Sequence, residues 1–170
     1  CAALLAGEMP RLRIALLEPR PVDAPVGDID LRVSALSRAS QRLLERVGAW
    51  PAVLARGACA YQRMVVWDEA STPDALGSIH FDAASLGEPD LGHIAENAAI
   101  QAALQQHAAA FGVTLLRTRL SGLELCADAA RLTTDDGRHV AAGLVVAADG
   151  SDSPARRLAG EHQHACGVLH

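Results

Sequence analysis

Lysine is absent, and all 15 basic residues are arginine. An all-arginine cation set reads as a bias in the coding DNA, and no function follows from it. Aromatic residues are scarce, at 3% of the chain. The four cysteines, Cys1, Cys59, Cys126 and Cys166, lie far apart without a Cys-x-x-Cys pair, which excludes a disulfide framework and a zinc ribbon. Reduced thiols in a cytosolic compartment are the simplest reading. No run approaches the roughly 20 consecutive apolar residues of a membrane span. Like charges never form a long block, so no charged tail is present. A net charge of -5 with an isoelectric point near 5.8 argues against a dedicated nucleic-acid binder, which carries a basic face.

What remains is rich in small and aliphatic residues: 34 Ala and 23 Leu among 170 positions, 50% hydrophobic overall. High apolar content with modest net charge excludes disorder. The length suits one domain of about 100–200 residues with its own core. There are no internal repeats and no low-complexity segments. Cys1 opens inside a helical run with neither an initiator Met nor an N-cap, and His170 closes on no stop signal. Both ends read as cut, so the sequence is expected to be a piece of something longer.

Residues 1–7 read as a helix stopping at Gly7. Arg13 to Glu18 is a short apolar run ending in an acid, the profile of a buried parallel strand. Pro19 to Asp30 carries three Pro and a Gly and reads as a loop. Ser37 to Val47, with Leu43, Leu44 and Val47 on one face and Gly48 after them, predicts a helix. Gln62 to Asp68 and Ser78 to Asp82 are β-rich about a Thr72-Pro73-Asp74 turn, an antiparallel pair inserted between α/β units. A helix is expected from Glu96 to Phe111, then a strand from Val113 to Leu116. Ser121 to Cys126 and Ala130 to Thr134 predict a hairpin, followed by a turn at Asp135-Asp136-Gly137. Gly143 to Ala148 reads as a second buried parallel strand running into Asp149-Gly150. The fold class is α/β: a Rossmann-like parallel nucleotide-binding sheet, incomplete, interrupted by an antiparallel β-ribbon from a second layer.

Three places carry chemistry. Glu18 ends a strand where, in dinucleotide-binding folds, an acid accepts hydrogen bonds from ribose hydroxyls; alone it reads more readily as a surface residue. Arg32 leaves a Pro-rich loop ahead of a helix, and its planar fork of donors suits a pyrophosphate or a flavin edge. Leu144 to Ser153, followed by Arg156, would deliver the Asp149 carboxylate to a sheet edge where ligands bind. Gly150 permits close backbone approach there, and the serines could cap the next helix.

Together these segments resemble the flavin-dependent aromatic hydroxylases related to 4-hydroxybenzoate hydroxylase, and within them the ubiquinone-biosynthesis branch that hydroxylates polyprenyl phenols and benzoquinols. The resemblance is carried by Asp30-Leu31-Arg32-Val33-Ser34-Ala35-Leu36-Ser37 with Leu43-Leu44 and Gly48-Ala49-Trp50. Met64-Val65-Val66-Trp67-Asp68, Leu91-Gly92-His93-Ile94-Ala95-Glu96-Asn97, and Ala148-Asp149-Gly150-Ser151-Asp152-Ser153 with Arg156 carry the rest. It runs over residues 1–160. The Asp-Gly motif marks flavin monooxygenases broadly, and the stretch from Leu91 to Asn97 marks the ubiquinone branch.

The resemblance implies FAD as cofactor and NAD(P)H as co-substrate. Glu18 matches the ribose-binding acid, and Arg32 the arginine that contacts the FAD. Gln101 falls where many relatives place an Arg that touches the flavin nucleotide. Asn97 lies one turn earlier on the same helix and is expected to face the cofactor too. Leu120 matches a position whose backbone meets the adenine. Asp149 matches the acid tied to both FAD and the pyridine nucleotide. The division implied is 1–57 and 93–160 for the FAD-binding domain, 58–92 for strands of a substrate domain, and 161–170 for the start of a further substrate-domain region or a frayed tail. The family's Gly-rich pyrophosphate loop would precede Cys1, and its Gly-Asp-Ala flavin motif would follow His170. This chain alone is therefore expected to retain little flavin and to show no turnover.

In such enzymes the cofactor does the oxidation while the protein supplies position and a dry pocket. No catalytic acid or base is assigned, and His80 and His93 read as structural. The implied substrate is a polyprenyl aromatic small molecule. That places a cytoplasmic protein near a bilayer, as a peripheral membrane protein or in a biosynthetic complex, although no stretch is a basic amphipathic helix. Two alternatives stay open. The chain could be the FAD-binding module of another oxidoreductase, although the redox Cys pair of a reductase and the Trp-rich motif of a halogenase are missing. The alternation of His162, His164 and Cys166, with His170 beyond, also offers a set of zinc or copper ligands.

Overall fold

The computed structural model describes residues 1–20 and 22–160. In chain order the first elements are helix α1 (Ala2–Glu8), strands β1 (Ala15–Leu17) and β2 (Val33–Ser37), and helices α2 (Arg38–Arg46) and α3 (Trp50–Ala55). Strands β3 (Cys59–Tyr61), β4 (Arg63–Val66) and β5 (Ile79–Asp82) follow, then a 3-10 turn at Ala83–Leu86 and strand β6 (Gly92–Glu96). Helix α4 (Asn97–Ala110), strands β7 (Thr114–Leu116), β8 (Leu120–Leu125), β9 (Ala130–Thr134) and β10 (His139–Ala142), and helix α5 (Pro154–Leu158) complete the set.

The described residues fall into two compact units, 1–14 with 22–114 and 15–20 with 115–160. In the first unit β6 lies between β2 and β3 and pairs antiparallel with both. The register runs from Val33 opposite Glu96 to Ser37 opposite Gly92, with Cys59 opposite Ile94 on the other side. Helix α2 starts where the Ser37 hydroxyl accepts the Ser40 amide at 3.2 Å, and the chain leaves it at Gly48, whose φ of +78° suits glycine. Leu44 and Val47 bury its inner face, and Trp50 and Val53 do the same for α3. Both α1 and α3 pack on α4. The buried positions of α1 and α4, Ala3, Ala6, Ala99, Ala103 and Ala108, are all alanine, which lets the backbones approach closely.

The expected ribbon is present: β4 and β5 pair antiparallel, Met64 opposite Phe81 and Val66 opposite Ile79. In the second unit β8, β9 and β10 form an antiparallel sheet on which α5 packs. A bulge lies between Leu120 and Gly122, and a turn at Gly137 (φ +82°) joins β9 to β10. The parallel part of the fold is the β1–β7 pair. Thr114 N–H donates to Ile14 O at 2.9 Å and Glu18 N–H to Leu116 O at 3.0 Å, both partners advancing in the same direction.

One expectation is corrected. Gly143–Ala148 is neither a strand nor buried: Leu144 is 78% and Val146 57% exposed. An apolar run records a preference for burial, but a strand exists only where a neighbour takes its N–H and C=O groups. Among the described residues none does. The two residues just before it, Ala141 and Ala142, instead end β10, drawn into an antiparallel ladder by the preceding turn. The β2–β6–β3 sheet and α3 were not foreseen in the sequence.

Candidate cofactor-binding site

In the first unit the site is built around the end of the loop 22–32. Arg32 lies just before β2, and its carbonyl accepts the Asn97 amide at 2.9 Å. Arg32 and Asn97, both singled out in the sequence, are therefore neighbours. Ser34 Oγ donates to Asn97 Oδ1 at 2.6 Å, which fixes the side-chain amide and leaves its nitrogen free to donate elsewhere. Gln101 lies one turn further along α4, on the same face as Asn97, and is exposed. The Arg32 side chain is exposed and makes no hydrogen bond or ion pair among the described residues. An arginine, an amide and a glutamine are thus presented together as donors, a set suited to the oxygens of a nucleotide.

Two residues that sequence reasoning missed organise this loop. Glu96, at the end of β6, is buried and paired with Arg56, the residue that closes α3. Arg56 Nε donates to Glu96 Oε2, and Nη2 donates to Glu96 Oε1 at 3.2 Å. The same guanidinium donates to the carbonyls of Gly27 at 3.0 Å and Asp28 at 2.9 Å, while Glu96 Oε1 accepts the Asp30 amide at 2.6 Å. The guanidinium and the Asp30 amide hold the Glu96 carboxyl below its usual range, and that carboxylate raises Arg56 in turn. The only signal in the sequence is Glu96 beside Asn97; nothing marks a partner 40 residues away.

In the second unit Glu18 follows β1, half-buried, its carboxylate accepting the Arg20 amide at 3.0 Å. Leu120 opens β8 opposite Thr134 and is half-buried. Asp149 is exposed, and one carboxylate oxygen accepts the Ala155 amide at 3.0 Å, tying the Asp-Gly segment to the first turn of α5. Burial works against its charge, but the Ser153 hydroxyl, the Ala155 amide and Arg156 outweigh that and hold the carboxyl below its ordinary range. Ser153 itself is the cap of α5, accepting the Arg156 amide at 3.0 Å, as the sequence indicated.

A cleft of about 370 Å³ in the first unit is walled by Val22 to Pro25, Ala52 and Arg56, and α4 residues including Ala103. Arg32, Asn97 and Gln101 are not among its walls. His93 sets its ring edge-on against Trp50, centroids 5.0 Å apart, which accounts for it by packing; His80 stands on the exposed ribbon. Among the described residues no group of His, Cys, Asp and Glu could hold a metal. The candidate ligands His162, His164, Cys166 and His170 lie outside the described residues. No described helix is long and apolar enough to cross a membrane.

No protein-family model matches the chain. It is 37% identical over 150 residues to the 3-demethoxyubiquinol 3-hydroxylase of Escherichia coli (strain K12), covering 87% of this chain and 37% of that protein. It is 36% identical over 140 residues to the mitochondrial ubiquinone biosynthesis monooxygenase COQ6 of Mus musculus, covering 76% of this chain and 28% of the relative. Among solved structures, the Diels-Alderase PyrE3 of pyrroindomycin biosynthesis superposes with a TM-score of 0.69 at 20% identity, covering 94% of this chain and 31% of its own. The tetrameric form of 2-methyl-3-hydroxypyridine-5-carboxylic acid oxygenase gives 0.65 at 22% identity, covering 94% and 38%. The chain is a homologue of the ubiquinone-biosynthesis hydroxylases, built on the fold of the flavin-dependent aromatic hydroxylases, and it spans 37% of the bacterial relative and 28% of the mouse one.

Proposed function

We propose that this chain is part of an FAD-dependent monooxygenase that hydroxylates the aromatic ring of a ubiquinone precursor, a polyprenyl phenol or benzoquinol, using NAD(P)H and O2. The observation that carries the reading is the 37% identity, over 87% of the chain, with a protein named for hydroxylating a ubiquinol precursor. Fold alone would not choose the reaction, since a Diels-Alderase shares it.

The residues present fit the cofactor. Arg32, Asn97 and Gln101 offer unspent donors on one side of the first unit, suited to phosphate and ribityl oxygens. Glu18 offers a strand-end carboxylate to the ribose hydroxyls, Leu120 its backbone to the adenine, and Asp149 a carboxylate already oriented by α5. When bound, the flavin supplies the redox chemistry by which oxygen is activated. In this reading 1–57 and 93–160 belong to the FAD-binding domain and 58–92 to a substrate domain, where the apolar face of the β4–β5 ribbon faces a ring-bearing substrate. A polyprenyl tail sets the work of a cytoplasmic protein at a bilayer surface.

The test is genetic and chemical together. An Escherichia coli strain lacking its 3-demethoxyubiquinol 3-hydroxylase, given the gene that encodes this chain, is expected to regain ubiquinone, and the purified gene product to carry FAD. Accumulation of the unhydroxylated precursor alongside an expressed, folded product would overturn the reading.

A further inference from the structure

Glu96 breaks a local rule. It is the N-cap of α4, yet its side chain makes no bond to its own helix. A short polar side chain there, Asp, Asn, Ser or Thr, ordinarily satisfies an amide of the first turn. Instead its carboxylate, 3% exposed, turns to Arg56 and to the Asp30 amide. The segment 22–32 needs outside support, because no core holds it: Val26 is 90% and Leu31 96% exposed. Its course is fixed by side chains at successive points, by Arg56 on Gly27 and Asp28 and by Glu96 on Asp30. Arg32 follows two residues later, its amide donating to Asp30 Oδ1 at 3.1 Å and its carbonyl bound to Asn97.

We propose that Arg56 and Glu96 are a positioning pair that holds the segment 22–32 and thereby sets where Arg32 meets the flavin nucleotide. The fork geometry matters. Arg56 reaches two loop carbonyls and both carboxylate oxygens at once, which an ammonium cannot do. The pair lies between the end of α3 and the start of α4, so the loop is referenced to both helices rather than to its own backbone bonds. The role rests on the reading of Arg32 as a flavin contact; the ordering of the loop does not.

The experiment therefore has two arms. Amide hydrogen exchange on this chain is expected to show the Asp30 and Arg32 amides exchanging about tenfold faster, or more, in Arg56→Lys and Glu96→Gln. The amides of the β8–β9 hairpin keep their rates. No local change, or an equal increase everywhere, would overturn the pair. In the full product of the gene, Arg56→Lys and Glu96→Gln are expected to weaken FAD binding about tenfold with far-UV circular dichroism unchanged, and Arg32→Ala is expected to do the same. Faster exchange with undiminished FAD affinity in Arg56→Lys, while Arg32→Ala still weakens it, would overturn the positioning role and leave the flavin reading standing. Undiminished affinity in Arg32→Ala would overturn the flavin reading, and the positioning role with it, whatever the exchange shows.

Discussion

At Gly92 the backbone takes a φ of +156°, and a Cβ added there would lie 2.0 Å from the Leu36 carbonyl oxygen. That oxygen belongs to β2, the strand opposite, so the neighbour cannot swing aside as a side chain would. Gly92→Ala must push β2 and β6 apart at the end of their ladder, and the expected cost is about 3 kcal/mol or more in a urea unfolding curve. A variant within about 0.5 kcal/mol of the parent would show that the two strands are not held this close. Val53 is a simpler case, 1% exposed beneath α3. Val53→Ala removes two methyl equivalents from a packed site and leaves a cavity, so it is expected to cost about 2 kcal/mol by the same measurement. Neither residue touches the candidate site, so both changes should act on stability before they act on any ligand.

Helix α2 depends on one hydroxyl at its start. Ser37→Ala removes the acceptor of the Ser40 amide and is expected to cost about 1 kcal/mol, read as a lower unfolding midpoint, with Ser37→Asp restoring most of it. If Ser37→Asp melts no later than Ser37→Ala, the cap is not what starts the helix. This element was legible in the sequence because its signals are local: a capping serine, aliphatic residues at helical spacing, and Gly48 as a stop. The same holds for α4, for the β8–β9 hairpin with its turn, and for the β4–β5 ribbon. The β2–β6–β3 sheet was not legible. Its strands are three to five residues long, and β6 opens on Gly92 and His93, which have little strand character of their own; the pairing that makes them strands is contributed by distant chain. Residues 143–148 failed the opposite way, with strong strand character and no described neighbour to pair with. The candidate site was legible only in pieces: Arg32 stood out at the end of a Pro-rich loop ahead of a helix, and Asn97 came only through the family resemblance, as a separate position. That a backbone hydrogen bond joins them, and that Arg56 and Glu96 stand behind them, follows from pairings 40 and more residues apart that no local pattern records.

Among the described residues of the whole molecule four carboxylates are held below their ordinary values, and their signs agree. Glu96 is held down first by the Arg56 guanidinium. The Thr118 hydroxyl and the Arg119 amide do the same for Asp135, and the Thr134 hydroxyl does so for Asp136. At Asp149 burial pulls the other way and is outweighed by Ser153 and the Ala155 amide. A group whose value is depressed in the folded state binds fewer protons there than in the unfolded chain near its titration. Its stabilising share is therefore complete above the unfolded value and disappears as pH falls through the folded one. The ordinary values are 4.5 for Glu and 3.8 for Asp, so the urea midpoint is expected to stay level on descending to about pH 5 and then to fall steadily toward pH 3. Because the groups lie in both units, the loss is not confined to one of them. Glu96→Gln abolishes one titration and should make the acid slope shallower, even though the variant starts from a lower midpoint at neutral pH. Thr118→Ala should act on the same slope through Asp135, whose carboxylate loses its 2.5 Å hydroxyl donor. A wild-type midpoint that stays level to pH 3, or a Glu96→Gln slope as steep as the parent's, would show that these ion pairs and hydroxyl bonds do not govern how the fold responds to acid.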